Sequence, residues 1–258
     1  MKITKQKIIN LWKNRGCINK IVEIFLNDEI DEASLRVSRR LFARGHAGTC
    51  KTHSSIGWNK KPIPWYTYPI IDYLADIDTS SWNVVEFGAG NSTLYWGDRS
   101  KNVVAFEEDE RWIEILQKKI QQNVVLIKHS EVNISDFITS NTVPDLVAID
   151  GKNRALCATK CLSHYGSSPL YIVDNSDWLP ETTKILRSAG LVEIRFKGFG
   201  PINAFAWTTS LFIDDKNINK LKKISDTQIV EGGLPPDSYE KIHLLNESIC
   251  LKNSSITT

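Results

Sequence analysis

Five short apolar runs constrain this chain more than anything else in it. "NVVEF", "NVVAFE", "NVVLIK", "DLVAID" and "LYIVDN" are each rich in Val or Ile and apolar almost throughout. Continuous rather than alternating apolarity means that both faces of a strand are covered, as in a parallel sheet. Between the runs sit helical segments: "STLYWGDRS", "DERWIEILQKKIQ", "SDFITS" and "RALCATKCLSHYG". Strand alternating with helix builds right-handed βαβ units and a doubly wound sheet. After a further helix, "PETTKILRSAG", come "LVEIRF" and "AFAWTTSLFI" with only "KGFGPIN" between them, so these two should pair as an antiparallel hairpin. The expected fold is α/β: a doubly wound, mostly parallel seven-stranded sheet with a C-terminal antiparallel hairpin.

This core should occupy residues 61–213. Residues 1–60 read as a helical N-terminal extension, since "IINLWKN", "INKIVEIFL" and "EASLRVSRRLFARG" carry apolar residues at helical spacing. Residues 214–258, rich in Lys, Asn and Ser, read as loops, a short helix and a frayed end. The basic cluster Arg36, Arg39, Arg40, Arg44, His46, Lys51 and His53 is either a grip for an acidic substrate or a solvated face.

Composition excludes more than it selects. A net charge of +2 over 258 residues creates no bulk field for nucleic acid or anionic membrane. Five scattered cysteines without C-x-x-C spacing (Cys17, Cys50, Cys157, Cys161, Cys250) suit reduced thiols better than disulfides or zinc. Cys157 and Cys161 share a helix face and read as small core residues. The lysine-broken start is not expected to be a secretory signal, no segment is apolar enough for a membrane span, and the expected location is cytoplasmic. His46, His53, His129, His164 and His243 show no ligand spacing.

The chemistry is concentrated in "VVEFGAGNST", where the first strand turns into its helix, the place at which open α/β sheets bind ligands. Gly88 and Gly90 allow a sharp turn and close approach, and Asn91 or Ser92 can cap the helix. A dinucleotide fingerprint would need a third glycine at position 93, which is Thr93. It would also bring a pyrophosphate to the helix start, which Glu86 on the strand would repel. An acid there attracts an ammonium. Glu107, at the tip of the second strand in "VVAFEEDERW", is placed to accept hydrogen bonds from a ribose diol. A cationic amino acid joined to a ribose describes S-adenosylmethionine.

These motifs resemble those of the class I S-adenosylmethionine-dependent methyltransferases, "VVEFGAGNST" their first and "VVAFEEDERW" their second. The resemblance implies a cofactor site formed by Glu86, Phe87, Gly88, Ala89, Gly90 and Ser92, with Glu107 on the ribose, Glu108 its weaker neighbour, and Ser130 or Glu131 near the adenine. Asp150, ending the fourth strand, would also border it.

A second constellation joins Asp150 to Asp174 and Asn175, which end the fourth and fifth strands. Two carboxylates and an amide suit a hard cation such as Mg²⁺, and the arrangement is similar to the metal site of catechol-type O-methyltransferases. The alternative is that Asp150 serves the cofactor or caps a helix while Asp174 and Asn175 form an Asx-type turn. "IDGKNR" departs from the metal enzymes in the glycine after Asp150. Lys152 is the candidate base, and Arg154 should pair with Asp150 or with an acidic substrate group. Trp65, Tyr66 and Tyr68 read as a lid or as packing; Asn203 and Trp207 read as acceptor-pocket residues.

The expected activity is methyl transfer to a hydroxyl oxygen of a small-molecule or glycan-like acceptor, with Asp150 and Lys152 as catalytic residues. Transfer to nitrogen or to a protein, a non-catalytic module that binds S-adenosylmethionine, and a homo-oligomeric state stay open. Nucleic acid has little support.

Overall fold

The structure, a computed structural model, describes residues 41–42, 44–140 and 142–223, with residues 139 and 140 described by their backbone alone. The expectations for residues 1–40 and 224–258, including Cys17, Arg36, Arg39, Arg40, His243 and Cys250, lie outside the described residues. Arg44 opens a compact unit that holds every element below.

Two helices precede the sheet, α1 (His46–Thr52) and α2 (Tyr68–Ala75). Then follow β1 (Asn83–Phe87), α3 (Asn91–Arg99), β2 (Asn102–Glu107), α4 (Glu110–Gln117), β3 (Val124–Lys128) and α5 (Glu131–Ser140). The second half runs β4 (Leu146–Ile149), α6 (Arg154–Tyr165), β5 (Leu170–Val173), α7 (Pro180–Ser188), β6 (Val192–Gly198) and β7 (Trp207–Ile213), ending in a 3₁₀ turn at Asp215–Lys220.

The seven strands lie in the order β3-β2-β1-β4-β5-β7-β6. All are parallel except β7, which runs antiparallel to both β5 and β6. The expected α/β sheet with its terminal hairpin is therefore the one observed. β4 and β5 are buried at every residue, whereas β6, with a single neighbour, is mostly exposed or half-buried. Central strands lose water on both faces; an edge strand does not.

Two boundaries differ from the sequence pattern. α5 starts at Glu131, earlier than "SDFITS" suggested, because Ser130 Oγ accepts the Asn133 N–H at 3.1 Å and caps the helix. β7 starts at Trp207, since Gly198 pairs with Trp207 and the turn takes residues 199–206. Within it Phe205 packs against Trp178 and Trp207, ring centres 6.1 and 6.0 Å away.

One large core holds Phe87, Phe106, Ile149, Val173 and Phe212 from the sheet against Cys157, Cys161 and Leu186 from α6 and α7. Both cysteines are fully buried, and burial pushes the Cys157 thiol up to about 12, so they pack as small apolar residues. The strand order reverses between β1 and β4, the position at which a doubly wound sheet opens a crevice beyond its carboxyl ends.

Candidate active site

A hollow of about 540 Å³ opens at that crevice, within the usual size of a small-ligand site. Gly88, Ala89, Gly90 and Ser92 form one wall, Glu107, Glu108 and Trp112 a second, and Asp150, Gly151, Lys152 and Arg154 a third. Trp65 and Ile202 also line it, as do His53, Ser54 and Ser55 from the end of α1 and the loop after it.

The glycine turn is held by hydrogen bonds from its own helix and from β2. Gly88 has φ +98°, and a Cβ on it would stand 2.6 Å from Gly151 N. In return, a Cβ on Gly151 would stand 2.9 Å from Gly88 N, so the glycine after Asp150 is required by backbone contact between the β1 and β4 turns. Glu107 Oε2 accepts the Ala89 N–H at 3.1 Å, and Oε1 accepts the N–H groups of Glu108 and Asp109 at 2.9 and 3.0 Å. Trp112 Nε1 donates to Ala89 O at 2.8 Å. The acid at the tip of β2 thus fixes the turn while facing the hollow.

The α3 cap is Thr93 rather than Asn91 or Ser92. Its Oγ1 accepts the Gly90 N–H at 2.9 Å and donates to Glu86 Oε2 at 2.5 Å. Asn91 Nδ2 reaches instead to Ser54 Oγ and Ser55 O, at 3.0 and 2.7 Å, and ties the loop after α1 to the turn. Glu86 is fully buried and its Oε1 has no partner among the described residues. Burial pushes its pKa up to about 7, against the opposing pull of Thr93 and Ser92. Glu86 is not among the residues that line the hollow; its unpaired oxygen lies buried behind the turn.

Other expected cofactor residues fall elsewhere. Phe87 is buried and stacks on Phe106, ring centres 5.1 Å apart. Ser130 caps α5, and His129 beside it lines the hollow in its place. Glu108 pairs with Lys152 across the rim, and this carboxylate holds the lysine protonated, raising its pKa. Lys152 is thereby a poor base.

The constellation expected for a metal is engaged by a cation of the chain itself. Arg154 Nε donates to Gly151 O at 2.8 Å, and NH1 to Asp174 O at 2.5 Å and Asn175 Oδ1 at 3.3 Å. NH2 donates to Asp150 O at 3.0 Å and stands 3.1 Å from Asp150 Oδ1. Four hydrogen bonds and one ion pair thus engage the guanidinium. Asp174 Oδ1 accepts Trp207 Nε1 at 2.9 Å and Thr209 Oγ1 at 2.5 Å. These donors do not fit Mg²⁺, which needs open carboxylate and carbonyl oxygens in octahedral array. Among the described residues no group of three His, Cys, Asp or Glu side chains is placed to hold a metal. Trp207 is accordingly a partner of Asp174, and Asn203 is absent from the hollow's lining. Burial and the neighbouring Asp174 charge push the Asp150 pKa well above the carboxylate range, with Arg154 opposing.

Of Trp65, Tyr66 and Tyr68, Trp65 alone lines the hollow. Tyr66 is wholly buried; Tyr68 bonds His46 Nδ1 at 3.0 Å and lies under the Arg44 guanidinium, which pairs with Asp72. Among the described residues no helix is long and apolar enough to cross a membrane.

Several solved structures are similar to this chain. A precorrin-6Y C5,15-methyltransferase from Geobacter metallireducens is 11% identical over 57% of this chain and 87% of its own, with a TM-score of 0.45. A fibrillarin pre-rRNA processing protein from Methanococcus jannaschii is 14% identical over 58% and 76%, TM-score 0.45. A spermidine synthase from Thermotoga maritima is 11% identical over 70% and 72%, TM-score 0.45. At such scores and identities they say nothing of this chain's reaction. No family model matches the chain, and no curated protein does. The mostly parallel seven-stranded sheet with its antiparallel C-terminal pair is the fold class that the sequence pattern led us to expect.

Proposed function

We propose that the chain is an S-adenosylmethionine-dependent methyltransferase acting on a hydroxyl oxygen of a small-molecule or glycan-like acceptor, without a divalent metal. The observation that carries this reading is Glu107: a strand-tip carboxylate that both holds the glycine turn and lines the hollow beside it. Glu86 behind the turn and Glu107 beside it suit the ammonium and the ribose of such a donor, and neither suits a diphosphate. Trp65 and Trp112 offer flat apolar walls for the adenosyl group.

S-Adenosylmethionine supplies an electrophilic methyl on sulfur, which is displaced as a neutral thioether. The chain's part is to align the two reactants, to exclude water and to accept a proton. Asp150 takes the proton role. Its carboxyl lines the hollow with a raised pKa, so it can receive the proton released by the acceptor hydroxyl, and Arg154 holds it in place.

The test is calorimetric titration with S-adenosylhomocysteine, repeated on Glu107→Ala. Micromolar binding by the parent and at least a tenfold loss in the variant are expected, since a charged hydrogen-bonding group contributes about 1.5–3 kcal/mol. No binding by the parent would retire the reading.

A further inference from the structure

A second hollow, of about 550 Å³, adjoins the first. Arg154 borders both, so the two share the side chain that holds Asp150. The residues given to donor and proton transfer line the first hollow, and the second has no role yet. Its most unusual member is Trp178, which is 57% exposed.

Trp178 sits on a loop that is tied down at several points. Its N–H donates to Asn175 O at 2.9 Å, and the Ser176 N–H donates to Thr208 O at 2.9 Å. Asp177 Oδ1 accepts the Thr208 N–H at 3.0 Å, and Arg154 NH1 donates to Asn175 Oδ1 at 3.3 Å. The Phe205 ring packs beside the indole, its centre 6.1 Å away. A firmly held loop thus keeps a large apolar surface in water, and a ligand that covers it has little loop entropy to overcome.

One exposed aromatic is ordinary; its surroundings set this one apart. Asn153, Glu131 and Glu181 line the same hollow, and all three are exposed. Asn153 begins α6 with φ +52°, yet its side chain makes no capping hydrogen bond, which leaves the amide for a ligand. A protein partner laid over the indole would bury two carboxylates, and the centres of protein interfaces are depleted of such charges. The same two carboxylates repel an anion. A neutral sugar ring meets both demands. Its C–H face covers the indole, while its hydroxyls donate to carboxylate and amide oxygens and accept from the amide N–H.

We propose that the second hollow is a subsite for a neutral sugar unit, adjacent in the acceptor to the unit whose hydroxyl is methylated beside Asp150. Trp178 is its stacking platform and Asn153 the hydrogen-bonding residue that orients it. The inference rests on the hydroxyl-acceptor reading of the first hollow and narrows the acceptor to an oligosaccharide.

The experiment is calorimetric titration of the full chain, first with S-adenosylhomocysteine and then, at saturation, with sugars. Maltopentaose, cellopentaose and mannopentaose are the neutral probes; pentagalacturonic acid and the glucosamine pentamer are the acidic and cationic ones. At least one neutral probe should bind, and more tightly than either charged probe. Trp178→Ala should weaken it about tenfold and Asn153→Ala about fivefold, with S-adenosylhomocysteine affinity changed less than about twofold in both. Trp178→Phe should recover part of the loss, because a ring remains. Trp58→Ala, which removes an indole 60% exposed but outside both hollows, should change nothing.

A parent that binds S-adenosylhomocysteine but no neutral probe overturns the subsite and leaves the donor reading intact. Sugar binding that survives Trp178→Ala, or tighter binding of a charged probe, also overturns it. If Trp178→Ala loses S-adenosylhomocysteine as well, Asn153→Ala and Trp178→Phe decide, and unchanged sugar affinity in both overturns the subsite. A parent that does not bind S-adenosylhomocysteine overturns the donor reading and this inference with it.

Discussion

Arg154 stands 3.1 Å from the carboxylate of Asp150, four residues before it in sequence, and its guanidinium also binds the main-chain oxygens of Asp150, Gly151 and Asp174. One side chain thus joins the carboxyl ends of β4 and β5. The carbonyls it binds close the rim on which the methyl acceptor is expected to lie.

Arg154→Met should therefore weaken the fold and not only the site. It leaves the half-buried Asp150 without its counter-charge and three carbonyls without their donor. A loss of about 2 kcal/mol is expected from the lost hydrogen bonds to three carbonyls and the half-buried ion pair, read as a lower urea midpoint with unchanged slope. Arg154→Lys should recover less than half, because an ammonium cannot span the same acceptors. A loss under about 0.5 kcal/mol, the usual size for surface changes, would refute the pinning role.

Methyl transfer should be indifferent to chelation. Arg154 engages Asp150 and Asn175, Trp207 and Thr209 engage Asp174, and among the described residues no three His, Cys, Asp or Glu side chains are placed to hold a metal. Turnover on any accepted hydroxyl substrate is expected to be the same in excess EDTA and in millimolar Mg²⁺. A loss of turnover in EDTA that Mg²⁺ restores would contradict the Arg154 assignment.

Glu86 predicts two pH effects. Its pKa, raised by burial from 4.5 to about 7, lies above the unfolded value, so the folded chain keeps a proton that the unfolded chain has released between those limits. The stability from this group is complete below pH 4.5 and is lost as pH rises through 7, by on the order of 3 kcal/mol. Asp174, raised by burial to about 6, acts with the same sign over a narrower window. Glu86→Gln should flatten this slope in urea unfolding measured from pH 5 to 8. Binding has the opposite sign. An ammonium favours the ionised carboxylate, so S-adenosylhomocysteine affinity should rise with pH and level off above 7. A flat profile in the parent would exclude the contact.

Gly151→Ala should damage the fold and the site together. The added Cβ would stand 2.9 Å from Gly88 N and 3.0 Å from Phe87 C, both backbone atoms that cannot swing aside. About 2 kcal/mol of destabilisation is expected, with a loss of S-adenosylhomocysteine affinity, since the displaced backbone is the turn itself. Gly48→Ala in α1, where a Cβ would meet nothing within 4 Å, is the control and should leave affinity unchanged while raising stability by up to about 1 kcal/mol.

What the sequence determined by itself was whatever depends on local pattern. Unbroken Val/Ile runs mark strands covered on both faces, and "EFGAGNST" and Glu107 mark the ligand rim, because backbone freedom and strand position are local properties. Sequence spacing could not show that Thr93 joins Gly90 to Glu86, or that Gly151 exists to meet Gly88, since these contacts arise between elements that only the sheet brings together. The same limit explains the metal expectation. Asp150, Asp174 and Asn175 do gather at one rim, as their strand ends require, but Arg154 is also there and carries the positive charge. Which cation a carboxylate cluster holds is decided by distance and direction in space, whereas in sequence the four-residue separation of Asp150, just past β4, from Arg154, at the start of α6, reads as an ordinary i, i+4 ion pair.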